Sequence, residues 1–392
     1  MTGAVDLTDP CTFVDGPPQA FLAELRHHSP VWRQPATERH PGFWVLTRYD
    51  DVHDTLLRPS ELINAKGITI EPNEPTQLPA GSDEQGQHAL SYSDPPEHQP
   101  LRRVLSPHFV PARIRDLSPV VEVHARRLVA EFVAAGGGDF VAAVAEPYPL
   151  VVLAAVLDLP PSVAEALRRF ATGASGPVEF LGHIGELAEV RRREPGADLV
   201  SSMVVGTDEG GSMPADRLGG ILIQLALAGN ETTRAASGHA VRVLAERPDQ
   251  WRSLVDAPEH VPAAVEEVLR FRPPVHYLRR TAAEATTIGT RGRAQPVEPD
   301  EIVYLSIASA NRDEAVFGSG DAFDPTRVAH RSHLSFGVGV HFCLGAALAR
   351  LELRCLLVEL ARSMPRFTLA GEPVPSPSPL FDALARLPLA VG

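Results

Sequence analysis

The tightest constraint on the fold is a ten-residue loop near the end of the chain, Phe336-Gly-Val-Gly-Val-His-Phe-Cys-Leu-Gly345. It runs straight into AALARLELRCLLVELARSM, a strong helical pattern of Ala, Leu, Arg and Glu. Cys343 is thereby set at a helix N-terminus, where unpaired backbone N–H groups and the positive end of the helix dipole stabilise a thiolate. Gly337, Gly339 and Gly345 tolerate positive φ and let backbone approach something flat and close. Such surroundings suit an iron-bound thiolate, because N–H groups directed at the sulfur tune the metal. Two other readings compete at this point. A lone Cys beside glycines is more often a small buried hydrophobe. A glycine-rich turn before a helix can also cradle a phosphate, although neither the phosphate-loop nor the dinucleotide glycine motif is present.

A second constraint is SMPADRLGGILIQLALAGNETTRAASGHAVRVLAERP (212–248), which reads as a single helix of about thirty residues, roughly 45 Å long. Pro214 suits its first turn and Pro248 its end. Its middle, Ala228-Gly-Asn-Glu-Thr-Thr233, is poor helix sequence. The Thr232 hydroxyl is expected to bond back to the carbonyl of Gly229 or Ala228, and Glu231 beside it offers a proton route into an apolar cavity. Glu267 and Arg270, three apart on a helix beginning near Pro262, share a face. His98 and Arg102 do the same at a helix start, and Arg280 and His341 are further donors at element ends. The arginines can fork onto carboxylates.

Helical patterns dominate from Pro95 to Ala135 and over 139–159. Strand signals fall at 42–49, 285–289 and 301–308, and residues 59–93 read as a long, functional loop. Length alone, 392 residues, would suggest two or three domains. Hydrophobic (44%) and charged (22%) contents are those of a soluble globular protein. No stretch approaches the roughly 18 unbroken apolar residues of a membrane span, and the N-terminus has no signal-peptide pattern, so the expected location is cytoplasmic. Three cysteines give no disulfide framework, and Cys355 reads as a buried thiol. A net charge of −13 argues against nucleic-acid binding.

In combination and in order, these motifs resemble the cytochrome P450 family of haem-thiolate monooxygenases. FGVGVHFCLG matches the family's cysteine loop at Phe336, Gly339, His341, Cys343 and Gly345, and Leu348, Ala349, Arg350 and Glu352 continue the match. AGNETT matches the oxygen-activation motif, Glu267/Arg270 the ExxR pair, and PPEHQPLRR the haem-contacting helix. RTAAEATTIG (280–289), ANRDEAVFG (310–318) and FDPTR (323–327) fit the intervening segments.

The resemblance implies a mainly α fold with minor β, a single haem-containing domain over 1–392 with the long helix above the haem. Its strand-containing lobe would be mainly 1–90 and 275–335 plus the C-terminal strands. Its helical lobe would be mainly 94–272 and 345–363. Cys343 would ligate the iron of haem b (iron protoporphyrin IX). His98, Arg102, Arg280 and His341 would hold the propionates, and Ala228, Gly229, Phe336, Gly337 and Gly345 would line the cofactor. Glu231 and Thr232 would relay protons, while Glu267 and Arg270 would lock their helix near Arg327.

Position alone suggests Leu225, Ala228, Val275, His276, Leu380 and Phe381 as pocket walls. The expected reaction inserts one oxygen atom from O2 into a C–H or C=C bond of a mostly apolar molecule, in secondary metabolism or in terpenoid, steroid or lipid oxidation. Electrons would come from NAD(P)H through a reductase and ferredoxin, which Arg103, Arg350 and Arg354 would attract to a monomeric protein without membrane contact. A peroxide-driven peroxygenase, a non-catalytic haem protein and a haem-free scaffold are the alternatives. Two departures stand out. The lid segment 170–196 is glycine-rich and reads as abbreviated, and Asn230 stands where related sequences often carry His.

Overall fold

The computed structural model describes residues 5–38, 40–70, 89–206, 213, 215–290, 292–327 and 330–392. Most of them are helical. The helices used below are α1 (His98–Leu105), α2 (Ser118–Ala134), α3 (Pro147–Val156), α4 (Pro161–Ala171), α5 (Pro177–Arg193), α6 (Leu199–Val205), α7 (Ala215–Ala245), α8 (Val261–Phe271) and α9 (Ala346–Ser363). Proline opens α3, α4 and α5, where its missing N–H costs nothing and its fixed φ already suits a helix.

The central helix α7 has 31 residues, roughly 46 Å. It packs against α3, α5, α8 and α9, burying Leu218, Ile221, Leu222, Ala226, Ala236, Ala240, Val241 and Leu244 in the main core. Helix α9 lies between α2, α7 and α8, so the segment that follows the cysteine loop is held on several sides. It buries Leu351, Leu353, Leu356, Leu357 and Leu360. Cys355 is buried among them, as the apolar pattern predicts.

One five-stranded sheet orders β1 (Val31–Gln34), β2 (Phe43–Leu46), β5 (Ile302–Ser306), β4 (Tyr277–Ala282) and β3 (Leu62–Ile63). The β2–β5 pair is parallel and the others are antiparallel. Alternation along β2 and β5 sends Phe43, Val45 and Tyr304 to one small core. Leu46, Val303 and Leu305 go to another. Strand β4 carries Arg280 inward from this sheet.

Three expectations change. The lid is not abbreviated: α4 and α5 form a helix pair broken only at 172–176. Packing overrides the glycines there, because Phe180, Ile184, Leu187 and Ala188 make a buried face and Phe180 stacks on Phe170 at 5.5 Å. Pro248 starts the next helix instead of closing α7, which ends at Ala245. Within the expected 59–93 loop, Leu62–Ile63 pairs with β4, and residues 71–88 lie outside the described residues, as does Pro214. Among the described residues no helix is long and apolar enough to cross a membrane.

Candidate active site

The cysteine loop turns on two glycines of positive φ, Gly337 (+62°) and Gly339 (+75°). A Cβ on Gly339 would also meet the Leu56 carbonyl oxygen at 3.1 Å, so this position suits only glycine. The turn is closed by the Cys343 N–H donating to the Phe336 carbonyl at 2.9 Å. Gly345 caps α9, and its N–H is directed at the Cys343 sulfur. Burial pushes the thiol pKa up, against the Gly345 N–H and the charges of Arg102 and Arg350. The protein alone therefore keeps a thiol, and a bound cation is what would turn it into a thiolate.

Beside the loop, His98 and Arg102 lie a turn apart on α1. The His98 ring meets His341 edge-on with centroids 4.6 Å apart. His341 Nε2 is 3.4 Å from Asp94, which accepts the N–H groups of Asn64 (3.0 Å) and Ala65 (2.8 Å). Burial alone would raise the Asp94 carboxyl, but His341 and these N–H groups outweigh it and hold it below the usual range. Burial, then the charges of His341 and Arg102, press His98 down to about 4. Arg280 is almost fully enclosed and is pushed down to about 10 by burial, with Asp94 opposing.

His341, His98 and Arg280 thus gather around one carboxylate, with Arg102 between His98 and Cys343, a surplus of donors that fits a ligand carrying carboxylates of its own. Nothing lies within 4 Å of a Cβ built on Gly345, and only Leu153 touches that limit at Gly229. Both backbones leave room for a flat group. These residues fit haem.

The middle of α7 is the open stretch of an otherwise packed helix: Leu227 and Ala228 are exposed. The Thr232 hydroxyl donates to the Ala228 carbonyl at 2.6 Å, resolving the choice between Ala228 and Gly229. Glu231 is clamped by Arg234, whose Nε is 3.0 Å from its carboxylate and whose Nη1 donates to the Leu384 carbonyl at 3.2 Å. Asn230 is buried, with no hydrogen-bond partner for its Oδ1.

Glu267 and Arg270 form a buried fork with both contacts at 2.7 Å. Arg270 also donates to the carbonyls of Asn311, Gly320 and Ala322. Glu267 accepts the Asp324 N–H at 2.8 Å and Arg327 Nε at 3.2 Å. The pair thus ties α8 to the 311–327 segment.

Two expectations fail on contacts. Arg350 is not a free surface cation: it forks onto Glu266 at 2.7 and 2.8 Å and lies over the Phe336 ring at 4.5 Å. Burial would raise Glu266, yet Arg350 and His333 hold it at about 2. Arg103 is exposed and Arg354 half-buried. His276 does not wall an open pocket: it is 1% exposed and stacked on Phe13 at 4.7 Å. Of the other wall candidates, Val275 bridges to Phe381, both half-buried, and Leu225 and Leu380 pack against the cores.

Sequence reasoning missed two polar residues, Gln224 and Asp94, and gave Glu352 no role beyond its place in the motif. Gln224, one turn before Ala228 on the same stripe of α7, exchanges hydrogen bonds with Ser91. A lone Gln in ILIQLALAG was its signal. Asp94 stands four residues before His98, immediately ahead of the PPEHQPLRR motif. Burial pushes the Glu352 carboxyl well above its usual range, with the Thr233 hydroxyl 3.5 Å away opposing.

A mainly helical fold with a thiol at a helix N-terminus and donors for a two-carboxylate macrocycle defines a haem-thiolate oxidoreductase. The chain belongs to the cytochrome P450 family, whose profile matches residues 255–384. It is 31% identical to the steroid C26-monooxygenase of Rhodococcus jostii over 94% of this chain and 80% of that one. It is 32% identical to the linalool 8-monooxygenase of Pseudomonas putida, over 94% of each chain. A crystal structure of a family member from Novosphingobium aromaticivorans superposes with a TM-score of 0.88 at 29% identity, covering 98% of this chain and 97% of that one. The protein is an oxygen-incorporating oxidoreductase with a haem cofactor.

Proposed function

We propose that this protein uses O2 to hydroxylate or epoxidise a mostly apolar small molecule of terpenoid, steroid or polyketide type, as one haem domain supplied with electrons by a ferredoxin and its reductase. Relatives named for steroid, linalool and erythromycin oxidation support the substrate class. The observation that carries the reading is the Cys343 thiol, set under the Gly345 N–H with Arg102 beside it and with three further donors gathered around the single carboxylate of Asp94. Haem bound there supplies one-electron transfer and dioxygen activation.

The residues divide the remaining work. Cys343 would hold the iron of a bound haem through its sulfur, and the α9 dipole with the Gly345 N–H would stabilise the thiolate charge. His98, Arg102, Arg280 and His341 hold the carboxylates, and Phe336, Gly337, Ala228 and Gly229 shape the slot. Thr232 moves a proton at its Oγ1, which the Ala228 carbonyl orients. Once Arg234 releases its carboxylate, Glu231 can take a proton from solvent and pass it to Thr232. Leu225, Val275, Leu380 and Phe381 form apolar walls. The exposed Arg103, Arg113 and Arg115, on α1 and the short turn that packs on α9, offer positive charge to an acidic ferredoxin.

The test is the reduced carbon-monoxide difference spectrum. The protein should give the red-shifted Soret band of a thiolate-bound haem, and Cys343→Ser should abolish it. A wild-type protein without that band sinks the reading. Product formation with peroxide, and none with any ferredoxin system, would replace monooxygenase by peroxygenase. A screen of terpenes, steroids and macrolides for the low-to-high-spin shift identifies the substrate.

A further inference from the structure

Away from the cysteine loop, three buried polar side chains and a half-buried arginine meet between the C-terminal half of α7 and the C-terminal loop. His239 comes from α7, Arg272 follows α8, His276 lies four residues on, and Asp382 precedes the strand Ala383–Arg386. Asp382 is the centre of charge. His239 Nε2 lies 3.1 Å from its Oδ1, and Arg272 Nε lies 3.3 Å from its Oδ2 and 3.4 Å from His239 Nδ1.

The accounting does not close within the protein. Asp382 is 4% exposed and its Oδ2 has no hydrogen bond of normal geometry. His276 is 1% exposed and neither ring nitrogen has one, although the Phe381 backbone comes close enough to favour its protonated form slightly. Each buried polar group left this way costs about 1–3 kcal/mol. Between them is a cavity of about 10 Å³ lined by Phe13, His239, Arg272, His276, Phe381 and Asp382.

We propose that this cavity holds one ordered water molecule, bridging Asp382 Oδ2 and a ring nitrogen of His276, and that the bridge fixes the Leu380–Phe381 wall. The volume matches a single water, which needs two to four polar partners, in number about what the site presents. Charge excludes the other occupants: a cation would face Arg272, and an anion would face Asp382. A neutral water that donates to Asp382 Oδ2 and pairs with one His276 ring nitrogen satisfies those two orphans at once.

The positioning consequence follows from the backbone. The His276 N–H donates to the Leu380 carbonyl at 2.8 Å, and the Asp382 N–H donates to the Pro274 carbonyl at 3.0 Å. Val275 and Phe381 bridge between these bonds. Side chains on both crossing segments then share one water, so the two cannot shift independently. His276 and Asp382 are positioning residues, and the effect on substrate rests on the proposed apolar wall. The water itself does not.

The experiment begins with a crystal structure of the haem-loaded protein at a resolution that shows ordered solvent. Density within hydrogen-bonding distance of Asp382 Oδ2 and a His276 nitrogen is expected. An empty cavity, or a His276 ring turned onto a protein partner, overturns the water. His276→Phe and Asp382→Asn are then titrated with imidazole and with 4-phenylimidazole, whose ring reaches beyond the iron toward the walls. Affinity for 4-phenylimidazole should fall about fivefold while that for imidazole stays unchanged. Equal changes for the two probes, or none, overturn the positioning role. A 4-phenylimidazole complex in which Phe381 does not touch the ligand overturns the wall reading and leaves the water standing.

Discussion

At the scale of single residues, Thr232 and Arg270 are the informative tests. The Thr232 hydroxyl is already spent on the Ala228 carbonyl, so the proton it can pass is held at one place in the open stretch of α7. Thr232→Ala should leave haem binding and the carbon-monoxide band intact. It should lower product formed per NAD(P)H consumed by roughly 10²-fold, the ordinary scale of a lost proton-transfer group. The ratio of peroxide to product checks it, and an unchanged ratio removes Thr232 from the relay. Arg270→Ala acts differently. It leaves the Glu267 carboxylate, 4% exposed, to Arg327 and the Asp324 N–H alone and takes a donor from three carbonyls at once, which should cost about 3–5 kcal/mol in chemical denaturation. Arg270→Lys keeps the charge but not the fork and should fall between the two.

At the scale of elements, the lid helix α5 shows how packing sets structure that propensity disfavours. Gly182 and Gly185 interrupt its pattern, yet a Cβ on either meets nothing within 4 Å. Gly182→Ala and Gly185→Ala should therefore each stabilise α5 by about 0.5–1 kcal/mol. Hydrogen exchange of the α5 amides should slow by the corresponding factor, with α8 unaffected. Faster exchange would show that the glycines relieve a contact. The same element explains why its form was hidden: the segment's composition shows the glycines, while Phe170, Phe180, Ile184 and Leu187 become a face only when α4 and α7 are beside them. Helices with strong periodicity, α7 and α9, were legible to within a few residues because each carries its own apolar stripe.

For the whole molecule, pH tolerance is set by histidines that must stay neutral to be enclosed. Burial holds His276 at about 4, against 6.5 for the ordinary side chain. Above pH 6.5 neither folded nor unfolded chain protonates it, so it contributes nothing to the pH dependence. As pH falls from 6.5 toward 4, the unfolded chain takes up a proton that the folded chain refuses, and stability declines by up to about 3 kcal/mol. The loss in denaturation midpoint between pH 7 and pH 4.5 should be smaller in His276→Phe than in wild type. An equal loss in both would show that other groups carry the acid limb.

The sequence by itself was enough for the class of fold and for the chemistry at its centre. A glycine turn, a cysteine and a helix start are consecutive, so local backbone sterics and the helix dipole already mark a sulfur site for a metal, although burial keeps the free group a thiol. The i, i+3 and i, i+4 pairs of α1 and α8 are readable for the same reason. Tertiary structure alone decided where the other charges go. Arg350 is neutralised by Glu266, 84 residues away, and His276 is enclosed against the Phe13 ring. A side chain's charge and its period are properties of the chain, but its partner and its exposure exist only once distant segments exclude water from between them.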